Sequence, residues 1–211
     1  MSSRGQFIVV EGLEGAGKST AIQTIHDFLK PLVPEILITR EPGGTQIGET
    51  LRQIIKEKQG DEIVEPRAEL LLLYAARVQL VEQVIRKALA RGCWVLADRF
   101  ELSTYAYQGG GRGLDLAFIA RLSSFCLQGF KPDLTVFLDL SPEQGLERVK
   151  TRGAADRIEQ ESLDFFNRVH AVYQKMTQNT NSVVTIDASQ PLDTVQNAII
   201  HQLSDYMEHN G

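Results

Sequence analysis

The sequence predicts an α/β fold in three layers, a five-stranded parallel sheet flanked by helices. Three observations carry that expectation. Five short runs of aliphatic and β-branched residues are almost unbroken in apolar character, as strands covered on both faces of a parallel sheet should be. Longer stretches with helical periodicity separate them, and strand alternating with helix implies right-handed βαβ crossovers. No Pro/Ser-rich linker, internal repeat or low-complexity tract interrupts the alternation, so residues 1–211 read as one domain.

In chain order, the strand Phe7–Val10 leads through a glycine-rich turn into the helix Lys18–Lys30. The strand Ile36–Thr39 and the helix Thr45–Glu57 follow. The long helical stretch Pro66–Arg91 is apolar around much of its circumference over Leu70–Ala76, so that part should cross the core. Next come the strand Trp94–Asp98, the helix Leu116–Leu127, the strand Leu134–Leu140 and the helices Pro142–Thr151 and Gln160–Gln178. The strand Val183–Asp187 and the helix Leu192–Glu208 close the chain. Two stretches read as irregular, Gly109-Gly110-Gly111-Arg112-Gly113 and Arg152-Gly153-Ala154-Ala155-Asp156-Arg157. Both are small, flexible and arginine-bearing, which is what a mobile segment covering a ligand needs, and the second is expected to form a lid over about 148–160.

With 43% hydrophobic and 23% charged residues, the chain is neither disordered nor collagenous, and its length can bury a core unaided. The net charge of −5 argues against general binding to nucleic acid or a membrane surface. An anionic ligand must instead meet a local cluster of arginines. Cys93 and Cys126 sit in apolar runs with no zinc-like spacing around them, which points to a reducing compartment. The apolar run Phe7–Val10 is too short for a signal-peptide core. Leu70–Ala76 falls far short of the ~18–20 residues that span a bilayer. A cytoplasmic protein is expected.

Gly12-Leu13-Glu14-Gly15-Ala16-Gly17-Lys18-Ser19 fits the pattern G-x-x-x-x-G-K-[ST]. The glycines allow consecutive backbone N–H groups to face phosphate oxygens, and the following helix adds its positive N-terminal dipole. Lys18 would place a point charge on the β- and γ-phosphates of ATP, and the Ser19 hydroxyl would ligate Mg²⁺. Such a loop serves switches, motors and kinases alike, so the remaining residues must discriminate.

The arginines do most of that. Ligands of open parallel sheets bind beyond the C-terminal ends of the strands, and two strands end in Arg40 and in Asp98-Arg99. Two guanidiniums near the phosphate loop would converge on one volume, each able to fork two phosphate oxygens. Asp98 stands where a strand-end aspartate holds Mg²⁺ directly or through water. Arg148, Arg152 and Arg157 could bring positive charge to the transferring oxygens on closure. No histidine stands out as a base: His26, His170, His201 and His209 fall in helical stretches and read as surface residues. An ionised phosphate needs no proton removed, so arginines without a base favour a phosphate acceptor.

These residues resemble the bacterial type of thymidylate kinase over essentially the whole chain. The resemblance rests on Glu11 to Ser19, Arg40-Glu41-Pro42-Gly43-Gly44-Thr45, Tyr74-Ala75-Ala76-Arg77, Asp98-Arg99, Ser103 to Gly109 and Asp156-Arg157-Ile158-Glu159. It implies the P-loop kinase fold, transfer of the ATP γ-phosphate to dTMP, and a homodimer formed through helices. Carried over position by position, Arg40 and Arg99 would hold the acceptor phosphate, and Glu14 the deoxyribose 3′-hydroxyl. Arg77 and Thr104 would face the thymine edge, with Gln108 and Arg52 in the same pocket. Tyr107 would exclude a ribose 2′-hydroxyl. The phosphate loop carries no arginine, so the family's lid arrangement is indicated, with Arg152 and Arg157 in catalysis beside Lys18 and Arg99. The resemblance also implies a cis Glu41-Pro42 peptide.

One position departs from the family. Many members have Phe four residues before the base-reading arginine, where this chain has Leu73 with Tyr74 beside it. One residue turns a helix by ~100°, so Tyr74 does not simply substitute, and thymine is expected to pack on Leu73. Two other readings remain open on the sequence alone. One is a P-loop kinase for another nucleoside monophosphate, the other a nucleotide switch without an acceptor.

Overall fold

The computed structural model describes residues 4–57, 60–150, 156–178 and 180–210. Five strands form one sheet in the order β2-β3-β1-β4-β5, with β1 at Phe7–Gly12, β2 at Ile36–Arg40, β3 at Trp94–Asp98, β4 at Leu134–Asp139 and β5 at Val183–Asp187. Every pairing is parallel, and the register aligns the strand ends: Val10 and Arg40 both lie opposite Asp98, and Gly12 opposite Leu138. The three-layer expectation holds.

The alternation of side chains along the strands builds the layers. Ile8 and Val10 of β1 face Ile22, Ile25 and Leu29 of α1 (Lys18–Leu29) and Ile199 and Leu203 of α9 (Leu192–Asn210). Phe7 and Val9 face the opposite side, where Leu80, Val81, Ile85 and Leu89 close a second core. Those four belong to one helical path, α3 (Pro66–Leu80) and α4 (Arg86–Ala90) joined by a π-turn at Val81–Ile85. Each fully buried side chain of this kind contributes ~1.5–3 kcal/mol relative to exposure. The central strands β1 and β4 are covered throughout or nearly so, but the edge strands β2 and β5 are not: Ile38 is 48% exposed. Sequence-level burial on both faces is therefore correct for the middle of the sheet only, because an edge strand has a neighbour on one side.

Two further expectations are corrected. Over Leu70–Ala76, Leu70, Tyr74 and Ala76 are buried while Leu71 and Ala75 face outward, so the helix lies on the core rather than crossing it. The segment Gly109–Gly113 is not a mobile cover. Gly109 to Gly111 end a π-turn at Tyr105–Gly111 that continues from α5 (Glu101–Thr104); Gly110 and Gly111 pack against α8 (Leu163–Thr177), and Gly109 against Leu116 and Ile119. A Cβ on Gly110 would sit 2.7 Å from the Arg168 carbonyl, and one on Gly111 would strike the Phe165 ring. Arg168 donates to the carbonyls of Gly110 and Gly111 at 3.3 and 2.9 Å. These glycines serve close approach of two helices, the other reason for lacking a side chain.

Local chemistry sets the helix starts. Thr45 caps α2 (Gln46–Lys56) by accepting from Gly48 N at 2.9 Å. Asp115 does the same for α6 (Leu116–Leu127) through Ala117 N, and Ser162 for α8 through Phe165 N. Helix α7 spans Pro142–Lys150. Among the described residues no helix is long and apolar enough to cross a membrane.

Candidate active site

Beyond the C-terminal ends of β1, β2 and β3 lies a cavity of about 480 Å³. Nearly all the candidates read from the sequence line it: Glu14, Gly15, Gly17, Lys18, Ser19, Arg40, Arg52, Leu73, Arg77, Asp98, Arg99, Thr104, Tyr107 and Gln108. Gly12, Leu13 and Ala16, expected in the same loop, do not line it: all three are buried, Leu13 and Ala16 in the core.

Three glycines of the loop have left-handed backbones, Gly12 at φ 148°, Gly15 at φ 75° and Gly17 at φ 91°. Space also demands glycine at Gly15, because a Cβ there would strike the Gly145 carbonyl of α7. A Cβ on Gly145 would in turn meet the Glu14 carbonyl at 2.5 Å. The loop is thereby pressed onto α7, and Lys18 Nζ closes it by donating to the carbonyls of Gly12 and Leu13 at 3.2 and 2.8 Å. Burial and the nearby Arg99 push the Lys18 ammonium down to about 8, against the pull of Glu14 and Asp98.

Arg99 occupies a left-handed conformation at φ 68°, unusual for a residue with a side chain and costing ~1–2 kcal/mol. Its neighbours hold it there. Nη2 donates to Glu14 Oε1 at 2.7 Å and to the Tyr107 hydroxyl at 3.3 Å; Nη1 donates to Ser103 Oγ and the Tyr173 hydroxyl. Tyr107 OH also donates to Glu14 Oε2. Burial would raise the Glu14 carboxyl, but Arg99, Lys18 and Tyr107 together hold it below the usual carboxylate range.

A carboxylate missed at the sequence level fixes this corner. Glu11 is fully buried and accepts from Phe100 N at 2.8 Å, Ser103 N at 3.2 Å, Ser103 Oγ at 2.6 Å and the Tyr173 hydroxyl at 2.9 Å. It straps the chain after Arg99 to β1. The signal was present: a lone acid ending an apolar strand must find buried partners.

On the other wall, Arg77 is buried. Its Nε donates to Glu41 Oε2 at 2.6 Å and its Nη2 to Thr104 Oγ1 at 2.8 Å. Burial pushes the Glu41 carboxyl up to about 7, although Arg77 opposes the shift. The Glu41-Pro42 peptide is cis. Leu73 lines the cavity, whereas Tyr74 is turned into the core and donates to Glu101 Oε1 at 2.8 Å. The helix phase thus separates the two as expected. Arg40 reaches Glu49 at 2.9 Å on the open side, and Arg52 donates to the Pro42 carbonyl.

Among the described residues, three buried side-chain atoms have no hydrogen-bond partner: Glu41 Oε1, Arg77 Nη1 and Asp98 Oδ1. All three residues line this one cavity. Orphaned buried polar atoms are rare because each forfeits its desolvation, so a cluster of them marks a surface shaped for polar ligand groups.

The lid candidates divide. Arg152 lies outside the described residues. Arg148 lines the cavity and donates to the carbonyls of Gly15 and Ala188, each at 3.3 Å. Arg157, expected in catalysis, is not among the lining side chains. Its Nε donates to the Ile55 carbonyl at 2.9 Å and its Nη2 pairs with Glu69, whose buried carboxylate requires a counter-charge. A smaller hollow of about 160 Å³ adjoins Arg148, walled by Gly17, Thr20, Ala188, Gln190, Leu192 and Gln196; of these six only Gly17 carries a site expectation from the sequence. His170 is half-buried rather than a surface residue, its Nε2 lying 2.6 Å from Asp139 Oδ1.

A family model described as thymidylate kinase matches residues 10–199. Thymidylate kinases of Legionella pneumophila strains Corby and Paris are each 54% identical over 209 residues, spanning 99% of this chain and of theirs.

Proposed function

This chain belongs to the thymidylate kinase family and phosphorylates dTMP to dTDP with ATP; from that premise we propose how the cleft divides the work. The loop amides and Lys18 take the ATP phosphates, and the hollow beside Arg148 takes the nucleoside of ATP. Arg99 and Arg40 hold the dTMP phosphate. Thymine packs its face on Leu73 and turns its edge to Arg77, Thr104 and Gln108, with Arg52 beside it. Glu14 meets the 3′-hydroxyl, and Tyr107 fills the space a 2′-hydroxyl would need. The observation that carries this reading is the cluster of unpartnered atoms on Glu41, Arg77 and Asp98, all lining the cavity that the phosphate loop and the two arginines share. The acceptor is already an anion, so its oxygen attacks without a general base, and catalysis reduces to alignment and charge.

Mg²⁺ fits the donors present. Asp98 Oδ1 is buried without a partner, and Ser19 lines the same cavity. These two would hold the ion, which would supply positive charge to offset that of the phosphates. The function is tested by ADP release over a panel of dTMP, dUMP, CMP, GMP and AMP. Preference for dTMP is expected; a preference for any other acceptor overturns the assignment of the base pocket.

Arg40→Ala should raise the Kd for dTMP about 10–150-fold, the loss of one charge-assisted contact of ~1.5–3 kcal/mol, with ATP binding nearly unchanged. Equal losses for both ligands, measured by titration calorimetry, would show Arg40 to be structural.

The chain is further proposed to act as a homodimer in the cytoplasm. Supporting the dimer, Leu71 on α3 and Phe118 and Phe125 on α6 are 55%, 47% and 80% exposed, and the two helices pack side by side through Leu70, Tyr74 and Ile119. Exposed apolar residues gathered on adjacent helices mark a partner surface. Phe125→Glu should halve the molecular mass seen by light scattering; an unchanged mass would place the interface elsewhere. Free Cys93 and Cys126 suit a reducing compartment.

A further inference from the structure

Behind the base pocket, and outside the cavity lining, sits a carboxylate with no solvent exposure, Glu69 near the start of α3. Three groups surround it. Gln108 Nε2 donates to Oε1 at 2.9 Å, Arg112 approaches both oxygens at 3.3 and 3.5 Å, and Arg157 pairs with Oε2. Arg112 continues to Glu161 at 2.5 Å. Two guanidiniums therefore compensate one buried acid, and although burial alone would raise its pKa, Arg157, Arg112 and Gln108 bring it below the usual carboxylate range. Such a group stays ionised.

An ionised carboxylate only accepts hydrogen bonds, whereas an amide side chain has a donating end and an accepting end. The Gln108 amide must then turn its NH₂ toward Glu69, which leaves its carbonyl oxygen for the cavity. We propose that Glu69 is a positioning residue for base selection, orienting Gln108 so that the pocket offers an acceptor to the acceptor nucleotide's base. An acceptor at that place suits a base bearing an N3–H, as thymine and uracil do. It repels cytosine, whose N3 is itself an acceptor. The inference rests on the reading above that Gln108 faces the base of the acceptor.

The test is Glu69→Gln, which keeps the shape but can donate as well as accept, so the Gln108 amide is free to turn over. The ratio of kcat/KM for dTMP to that for dCMP should fall by about tenfold or more, with the KM for ATP little changed. Arg112→Met, which leaves the acceptor facing Gln108, should keep the ratio near wild type. A folded Glu69→Gln enzyme with the wild-type ratio overturns the proposal, as does an equal fall in Arg112→Met. If Glu69→Gln does not fold, the wild-type protein decides by NMR. The Gln108 side-chain NH₂ protons should exchange slowly both with and without dTMP; fast exchange overturns it. Failure of the underlying reading looks different, since Gln108→Ala would then leave the wild-type ratio unchanged.

Discussion

Lys18→Ala lowers kcat by at least about 10²–10³-fold in a protein that still folds, the scale for losing one positive charge aimed at the transferring group. The ammonium is drawn into the loop by the Gly12 and Leu13 carbonyls and lies in the field of Glu14, Asp98 and Arg99. It is thus poised where β- and γ-phosphate oxygens would pass. The fold should survive, because the β1 and α1 residues that form the core are Ile8, Val10, Ile22, Ile25 and Leu29, none of which depends on Lys18. Steady-state kinetics with a melting curve check both halves. Near-normal turnover in a folded variant would mean that the loop does not hold the donor.

What the sequence made legible was whatever short range determines. Apolar runs marked the strands, the glycine pattern marked the loop, and strand ends placed Arg40, Asp98 and Arg99 on one side of the sheet. Even the separation of Leu73 from Tyr74 followed from helix phase alone. What escaped were the carboxylates that work through partners far along the chain. Glu11 acts on Phe100, Ser103 and Tyr173, and Glu69 on Gln108, Arg112 and Arg157. An acid at a buried position has no local signature beyond its awkwardness there. The run at Gly109–Gly111 failed for the complementary reason. Glycine permits both mobility and close packing, and only the approach of α8 decides between them.

The same contacts sharpen the expectation for the lid. The variable positions of the phosphate loop are Leu13, Glu14, Gly15 and Ala16, so within it Lys18 alone opposes the charge that develops between two anionic phosphates. Arg99, fixed by Glu14, Ser103, Tyr107 and Tyr173, is assigned to the acceptor phosphate rather than to the oxygens in transfer. Arg157 is committed to Glu69 and the Ile55 carbonyl, and Arg148 bonds the rim at Gly15 and Ala188. That leaves Arg152 as the arginine expected to meet the transferring oxygens. Arg152→Ala should lower kcat about 10²-fold or more while the Kd for dTMP stays within a few-fold, the pattern of an interaction made only in the transition state. Arg157→Ala should differ in kind, chiefly lowering the melting temperature, since it strips one counter-charge from a buried acid. Rapid-quench kinetics and dTMP titrations on both variants separate the two roles. Should Arg152→Ala keep kcat within a few-fold of wild type, the charge must come from Arg148, which already lines both cavities and needs only to exchange its carbonyl partners for phosphate.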